Sequence, residues 1–310
     1  MNYRFSGHES FPFRYTWLPK AIRGLKENPH LFSNDDEDEA MVSLGVGKNM
    51  VRAMRFWVHV TGIVEPDENG GTKPSALGQL LFDDEGLDPF LEDIQTLWVL
   101  HWNIATLRNE PLFAWKFLFN DWQESEFAES GVLAAFERES QKLNKKLSIV
   151  TLKQHFEVFL HTYIPTRGKK VEILEDNLDC PLTELALITI VGERDTGLHK
   201  RELVYAFRRE ENPNITTELF CWALNDFWDK FHPNEKTLPI RTIASGIASP
   251  GQIFKIPEAD IAVRLSEIAS ITNGALSYQE SASLPQVHRP RNVDSLSLLR
   301  LAFKQRCAHV

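Results

Sequence analysis

Two glycine-bearing breaks constrain this chain more than any other feature. Leu44-Gly45-Val46-Gly47 and Asn69-Gly70-Gly71 divide the stretch from Ser33 to Phe82 into short, defined pieces. Ser33 or Asn34 can cap a first helix, with the acids Asp35–Glu39 near its positive end. The Leu44–Gly47 turn then leads into a second helix, Lys48–Gly62. Asn69-Gly70-Gly71 is a hairpin signal, and Lys73-Pro74-Ser75 leads into Ala76–Phe82. Helix, turn, helix and glycine-tipped hairpin is the winged-helix order.

The second helix carries two opposed stripes. With Lys48 at zero and about 100° per residue, Arg52 falls at about 40°, Arg55 at about 340° and His59 at about 20°. Val46, Met50, Ala53, Trp57 and Val60 fall between about 120° and 200°. The apolar stripe can pack on the module while the basic one meets phosphates. Asn49 and Lys20 extend the expected nucleic-acid contact set of Arg4, Lys48, Arg52, Arg55 and His59. The plainer alternative is an ordinary solvated amphipathic helix. The wing itself is acidic. Glu65, Asp67, Glu68, Asp83, Asp84, Glu85 and Asp88 surround it against Lys73 alone, so the helix must do most of the binding.

The formal net charge of -9 over 310 residues excludes a whole-chain basic footprint. Contact with DNA must use local patches. The first 33 residues carry Arg4, Arg14, Lys20, Arg23 and Lys26 against Glu9 and Glu27. The last 25 carry Arg289, Arg291, Arg300, Lys304 and Arg306 against Asp294. Cys180, Cys221 and Cys307 form neither a close pair nor a metal-type spacing. With no signal peptide, a cytoplasmic location is expected. No apolar run approaches the ~20 residues of a membrane span. P-loop, Rossmann, nucleophile-elbow and zinc patterns are all missing.

The expected fold class is mainly α (α+β), with two winged-helix-like modules joined by a helical region. The expected divisions are 1–88, 89–175, 176–270 and 271–310. Phe90–Leu107, Leu112–Trp122, Ser130–Leu147 and Thr151–Tyr163 have helical spacing. The aromatics of Thr96–Trp122 read as core. Leu182–Val191, Lys200–Phe207 and Thr216–Phe231 read as three helices of a second module. Two strand-like pieces in Ile240–Ile256 flank Ser249-Pro250-Gly251. In the third helix the apolar band of Phe220, Leu224, Phe227, Trp228 and Phe231 points to protein contact or a homodimer. Val293–Phe303 can dock as a helix after a polar stretch.

Chemistry is concentrated in Arg4-Phe5-Ser6-Gly7-His8-Glu9-Ser10-Phe11-Pro12-Phe13-Arg14. Phosphodiester cleavage needs a base or metal-held water, and cations for the developing charge. His8, Glu9 and Arg14 supply those types. The alternative is a polar segment anchored on the module by Phe5, Phe11 and Phe13. The run Asp35–Glu39 can help to hold Mg²⁺, although a solvated helix start is the commoner meaning of such a run. His155 and His161 lie about 240° apart on a helix and share no ligand position.

Gly7-His8-Glu9-Ser10-Phe11, Phe13-Arg14 and Trp17-Leu18-Pro19-Lys20 form a distinctive opening. Leu44–Val51, Glu157-Val158-Phe159-Leu160 with Thr162-Tyr163, Cys180-Pro181-Leu182, and Ser249-Pro250-Gly251 with Phe254-Lys255 follow. Over about residues 4–265 this pattern resembles a bacterial family once known only as a domain of unknown function and encoded beside sulfur-modification genes. The family is typified by the nicking subunit of Ssp-type single-strand DNA phosphorothioation systems. The resemblance implies a DNA nickase that opens one strand for replacement of a non-bridging phosphate oxygen by sulfur. It also implies an ATPase, an ATP-pyrophosphatase-like subunit and a cysteine desulfurase as partners. On that reading Glu9 and Asp36 hold a divalent metal, His8 activates water or protonates the leaving oxygen, and Arg4, Arg14 and Lys48 stabilise phosphate charge.

Overall fold

The computed structural model describes residues 2–33, 37–143, 147–165, 180–197, 201–280 and 284–304. It mixes helices with small antiparallel sheets and separates into two compact units, up to Arg208 and from Arg209.

The first unit opens with α1 (Trp17–Glu27), α2 (Glu37–Leu44) and α3 (Lys48–Val60). Gly45 sits at φ 61° in the turn between α2 and α3, where a side chain would be strained. β1 (Val64–Pro66) and β2 (Thr72–Pro74) pair in register Glu65–Lys73 around the expected glycine tip. α2 is described from Glu37, and the expected cap at Ser33 or Asn34 borders residues 34–36, which lie outside the described set. Ser75 caps α4 (Ala76–Phe82), its hydroxyl accepting from the Gly78 amide at 3.1 Å.

Gly78 lets this helix lie directly on the chain that leads into β1. A Cβ there would stand 2.0 Å from the Ile63 carbonyl oxygen. Gly78→Ala should lower the unfolding free energy of the chain by about 3 kcal/mol in a denaturant titration, because backbone must move. An unchanged midpoint would mean that α4 docks more loosely than this.

The middle of the unit is helical, as its spacing predicts. α5 (Ile94–Ala105), α6 (Phe113–Lys116, running into a π-turn over Phe117–Asp121), α7 (Glu129–Lys142) and α8 (Ile149–Tyr163) enclose the aromatic core. Trp98, Trp102, Trp115 and Phe119 are fully buried, which settles their role as packing. The Tyr163 hydroxyl accepts from Trp115 Nε1 at 3.0 Å and meets His101 Nδ1 at 2.8 Å.

Three short stretches differ from expectation. Leu182–Val191 and Lys200–Phe207 are not helices. A 3-10 turn (Pro181–Leu185) precedes β4 (Ile188–Asp195), which pairs antiparallel with β5 (Arg201–Phe207). The β-branched run Ile188-Thr189-Ile190-Val191 and the half-exposed face of β5 favour a pleated surface, and a bulge lies between Ile190 and Gly192. β3 (Glu126–Ala128), which the helical reading did not contain, joins the other edge of β5.

The second unit holds α9 (Thr217–Phe231), β6 (Thr237–Pro239), α10 (Ile240–Ser245), α11 (Pro250–Ile253), α12 (Glu258–Ile271), β7 (Ser277–Gln279), β8 (Gln286–His288) and α13 (Ser295–Lys304). β8 is the central strand, between β6 and β7. The strand-like pieces expected in Ile240–Ile256 are helical. Ser249 caps α11 and Pro250 occupies its first turn, so the Ser-Pro-Gly signal starts a helix rather than joining strands. The apolar band of α9 is also reassigned. Phe220, Leu224, Phe227 and Trp228 are buried within the unit, where α12 and α13 pack on α9, so they are not a free contact face. The docking helix expected at Val293–Phe303 is α13.

Lys255 is buried in this unit in a left-handed conformation, φ 56°. Burial first, and Arg209 second, push its ammonium from the ordinary 10.5 down to about 7. Between those values the unfolded chain binds more protons, so this residue makes stability rise with pH. Lys255→Met should abolish that rise. The difference in unfolding free energy between wild type and variant should change by about 2 kcal/mol from pH 7 to 9. Parallel pH profiles would show that the ammonium is solvated.

Candidate active site

The N-terminal segment is fixed at both ends of a tight turn. Arg4 makes a parallel bridge to Leu112, donating its amide to the Pro111 carbonyl at 3.0 Å and accepting from Phe113 at 3.1 Å. The turn then bends through Gly7 (φ 112°), Glu9 (φ 47°) and Ser10 (φ 64°), closed by the Phe11 amide donating to the His8 carbonyl at 2.8 Å. Two non-glycine residues in the left-handed region within one turn store strain of about 1–3 kcal/mol each, a cost usually carried at functional positions. Beyond the turn, Phe13 is buried against Trp57, and Trp57 Nε1 donates to the Phe11 carbonyl at 2.8 Å. The phenylalanine anchors are therefore real, with Phe5 and Phe13 buried and Phe11 partly so.

The floor of the turn is Phe56 of α3. A Cβ on Gly7 would come within 2.8 Å of its ring, so glycine allows the close approach. Arg4 lies over the same ring, 5.6 Å from the centroid, and pairs with Glu110 at 2.7 Å. His8 is turned inward. Its Nε2 stands 3.1 Å from Nδ1 of His155 on α8, with the rings stacked. Burial pushes the His8 imidazole down to about 4 and that of His155 well below its ordinary range. Both rings are neutral at pH 7, so His8 is not a stored proton. Glu9 stays partly exposed and interacts electrostatically with Arg52, one turn before Phe56.

α3 presents the stripe that its spacing predicts. Lys48, Asn49 and His59 are exposed and Arg52 and Arg55 partly so, while Val51, Ala53, Met54, Phe56, Trp57, Val58 and Val60 are buried. The apolar side is thus wider than a single stripe. The basic side is engaged within the chain. Glu37 of α2 accepts from Arg52 Nε at 2.7 Å and pairs with Lys48 at 2.8 Å. Arg52 first, and Lys48 second, pull the Glu37 carboxyl down to about 2. Arg55 Nη1 donates to the Phe32 carbonyl at 3.1 Å, and His59 Nδ1 meets the Arg55 carbonyl at 2.7 Å. Lys20 donates to the Leu44 carbonyl at 2.9 Å, at the end of α2 where free carbonyls collect. Arg14 lies over the Trp17 ring at 5.6 Å.

Arg4, His8, Glu9, Arg52 and Phe56 therefore converge, and Lys48 joins them through Glu37. Asp36, the second expected metal ligand, lies outside the described residues. Among the described residues no three histidine, cysteine, aspartate or glutamate side chains group as a metal cage. Glu37 and His155 were not among the expected site residues. Glu37 was legible only as one acid of a run, and His155 only as half of a failed pair.

A family model described as a protein of unknown function (DUF4007) matches residues 5–303. The chain belongs to this family. Two solved structures share its fold. The magnesium ion-bound crystal structure of SspB superposes with a TM-score of 0.81 at 26% identity, covering 97% of this chain and 86% of that one. A second SspB crystal structure gives 0.78 at 25% identity, with the same coverage. No curated protein matches the chain. The family expected from the N-terminal motif is thus the one found, and the match runs past residue 265 through α13. Among the described residues no helix is long and apolar enough to cross a membrane.

Proposed function

We propose that this chain binds DNA and nicks one strand within a phosphorothioate modification system. The observation that carries the reading is the meeting of a strained carboxylate-bearing turn, Gly7–Ser10, with the cationic face of α3. Likeness to SspB supports the system, and the electrostatic interaction of Glu9 with Arg52 supports the chemistry. Lys48, Asn49, Arg52, Arg55 and His59, with Lys20 at the flank, line the DNA backbone. Glu9, half-exposed, takes the proton of the attacking water as the bond from phosphorus to the departing sugar oxygen breaks, and that oxygen takes its proton from solvent. Arg4, Arg14 and Arg52 offset charge on the phosphoryl oxygens. His8, neutral and inward, acts by holding the turn. The winged-helix order of residues 1–88 supports docking by α3.

A magnesium ion belongs to the same proposal. We assign Glu9 to it among the described carboxylates, and the ion would share Glu9 and Asp36 with waters and phosphate oxygens of the DNA, the usual habit of Mg²⁺. Bound there it would polarise a phosphoryl oxygen. The expected partners are an ATPase, an ATP-pyrophosphatase-like subunit and a cysteine desulfurase.

Relaxation of supercoiled plasmid by the pure full chain, with Mg²⁺ and with chelator, tests this reading. Open-circular product with Mg²⁺ is expected. Salt-sensitive binding without any nicking would replace it with the second reading, a non-catalytic DNA-binding subunit, which the inward position of His8 against His155 favours.

A further inference from the structure

The Gly7–Ser10 turn rests on a buried chain of hydrogen bonds that fixes where each proton sits. Ala114 lies in the first turn of α6, where amides lack partners inside the helix. Its N–H donates to His155 Nε2 at 3.0 Å. An amide N–H only donates, so this ring nitrogen is the acceptor. A neutral imidazole has one acceptor and one donor, and His155 must carry its proton on Nδ1. That nitrogen faces His8 Nε2 at 3.1 Å. His8 Nε2 then accepts, and the His8 proton sits on Nδ1. The His8 Nδ1 is itself buried and meets no partner among the described residues. Reversing the order would set the Ala114 N–H against a second N–H.

The wall around the pair allows little rearrangement. His155 is fully buried between Phe5 and Trp115, and His8 lies edge-on to Phe56. His8 is followed directly by the two left-handed residues, Glu9 and Ser10. The packed ring of His8 thus stands directly before the strained pair of residues.

We propose that His155 is a positioning residue. It holds His8 in the Nδ1–H tautomer and, through His8, holds the turn that presents Glu9 to Arg52. The consequence for catalysis rests on the nickase reading, whereas the tautomer does not.

Two substitutions separate the two bonds of His155. His155→Asn offers an N–H where Nδ1 stood. His155→Gln keeps an acceptor for Ala114 where Nε2 stood but offers nothing to His8. Long-range ¹H–¹⁵N NMR on the histidine-labelled full chain at pH 7 reads the tautomers. The expected spectrum has Nδ1–H on both rings, retained by His8 in H155N and lost in H155Q. Nicking kcat should fall at least about tenfold in H155Q with KM for plasmid little changed, and recover in H155N. Wild-type His8 protonated on Nε2 overturns the proposal, a result that needs no variant to fold. An H155Q protein with wild-type tautomer and kcat also overturns it. Wild-type protein that does not nick, yet shows the expected tautomers and their loss in H155Q, would sink the nickase reading and support the clamp.

Discussion

Glu9→Gln is expected to slow plasmid nicking by at least about a hundredfold, the lower range for removal of a positioned general base. Glutamine keeps the size and hydrogen-bonding reach of the side chain but cannot take a proton. It also keeps the backbone problem unchanged, since any non-glycine residue at φ 47° meets the same strain. The turn is held by His8, Phe13 and the Trp57 indole rather than by the Glu9 carboxylate. Stability should therefore stay within about 0.5 kcal/mol, as for surface substitutions. DNA affinity should not fall, because a negative charge beside Arg52 is removed. Equal nicking rates would remove Glu9 from the chemistry and leave the chain as a DNA-binding subunit.

Arg52→Gln with Arg55→Gln should weaken DNA binding by about ten- to a hundredfold at low salt. Each lost phosphate contact takes about 0.9 from the slope of log affinity against log salt, so the pair should flatten it by about 1.8. The slope discriminates, since a folding defect lowers active protein without changing it. Glu37→Gln should act in the opposite direction. Glu37 holds Lys48 and Arg52 against α2, and a bound strand must compete for them. Freeing them should tighten binding by roughly two- to fivefold, in the range of an exposed ion pair. An unchanged salt slope in the arginine variant would move the DNA surface away from α3.

How far these features were legible depends on their range in sequence. The helix of Lys48–Val60, the glycine-tipped hairpin and the docking helix α13 are local, and local spacing predicts them. The aromatic core was legible because seven large rings in 27 residues have few alternatives to burial. The strands β4 and β5 were misread because their apolar residues also fit a helix period, and the decision comes from pairing between them. The candidate site divides in the same way. The turn was visible as a motif. Its supports were not, since His8 and His155 are 147 residues apart, and no spacing rule links Glu37 to Arg52 across a turn.

β3 lies near residue 127 but pairs with β5, more than 70 residues later. Phe119 and Phe127 both pack on Phe207, at 5.2 Å between ring centroids. On the ribosome, α5 to α8 are made before that strand. Their aromatic cluster therefore waits several seconds at ordinary elongation rates for its last wall. Synthesis of this chain includes an interval in which Phe119 and Phe127 lack the ring that covers them, closed only once Phe207 has emerged.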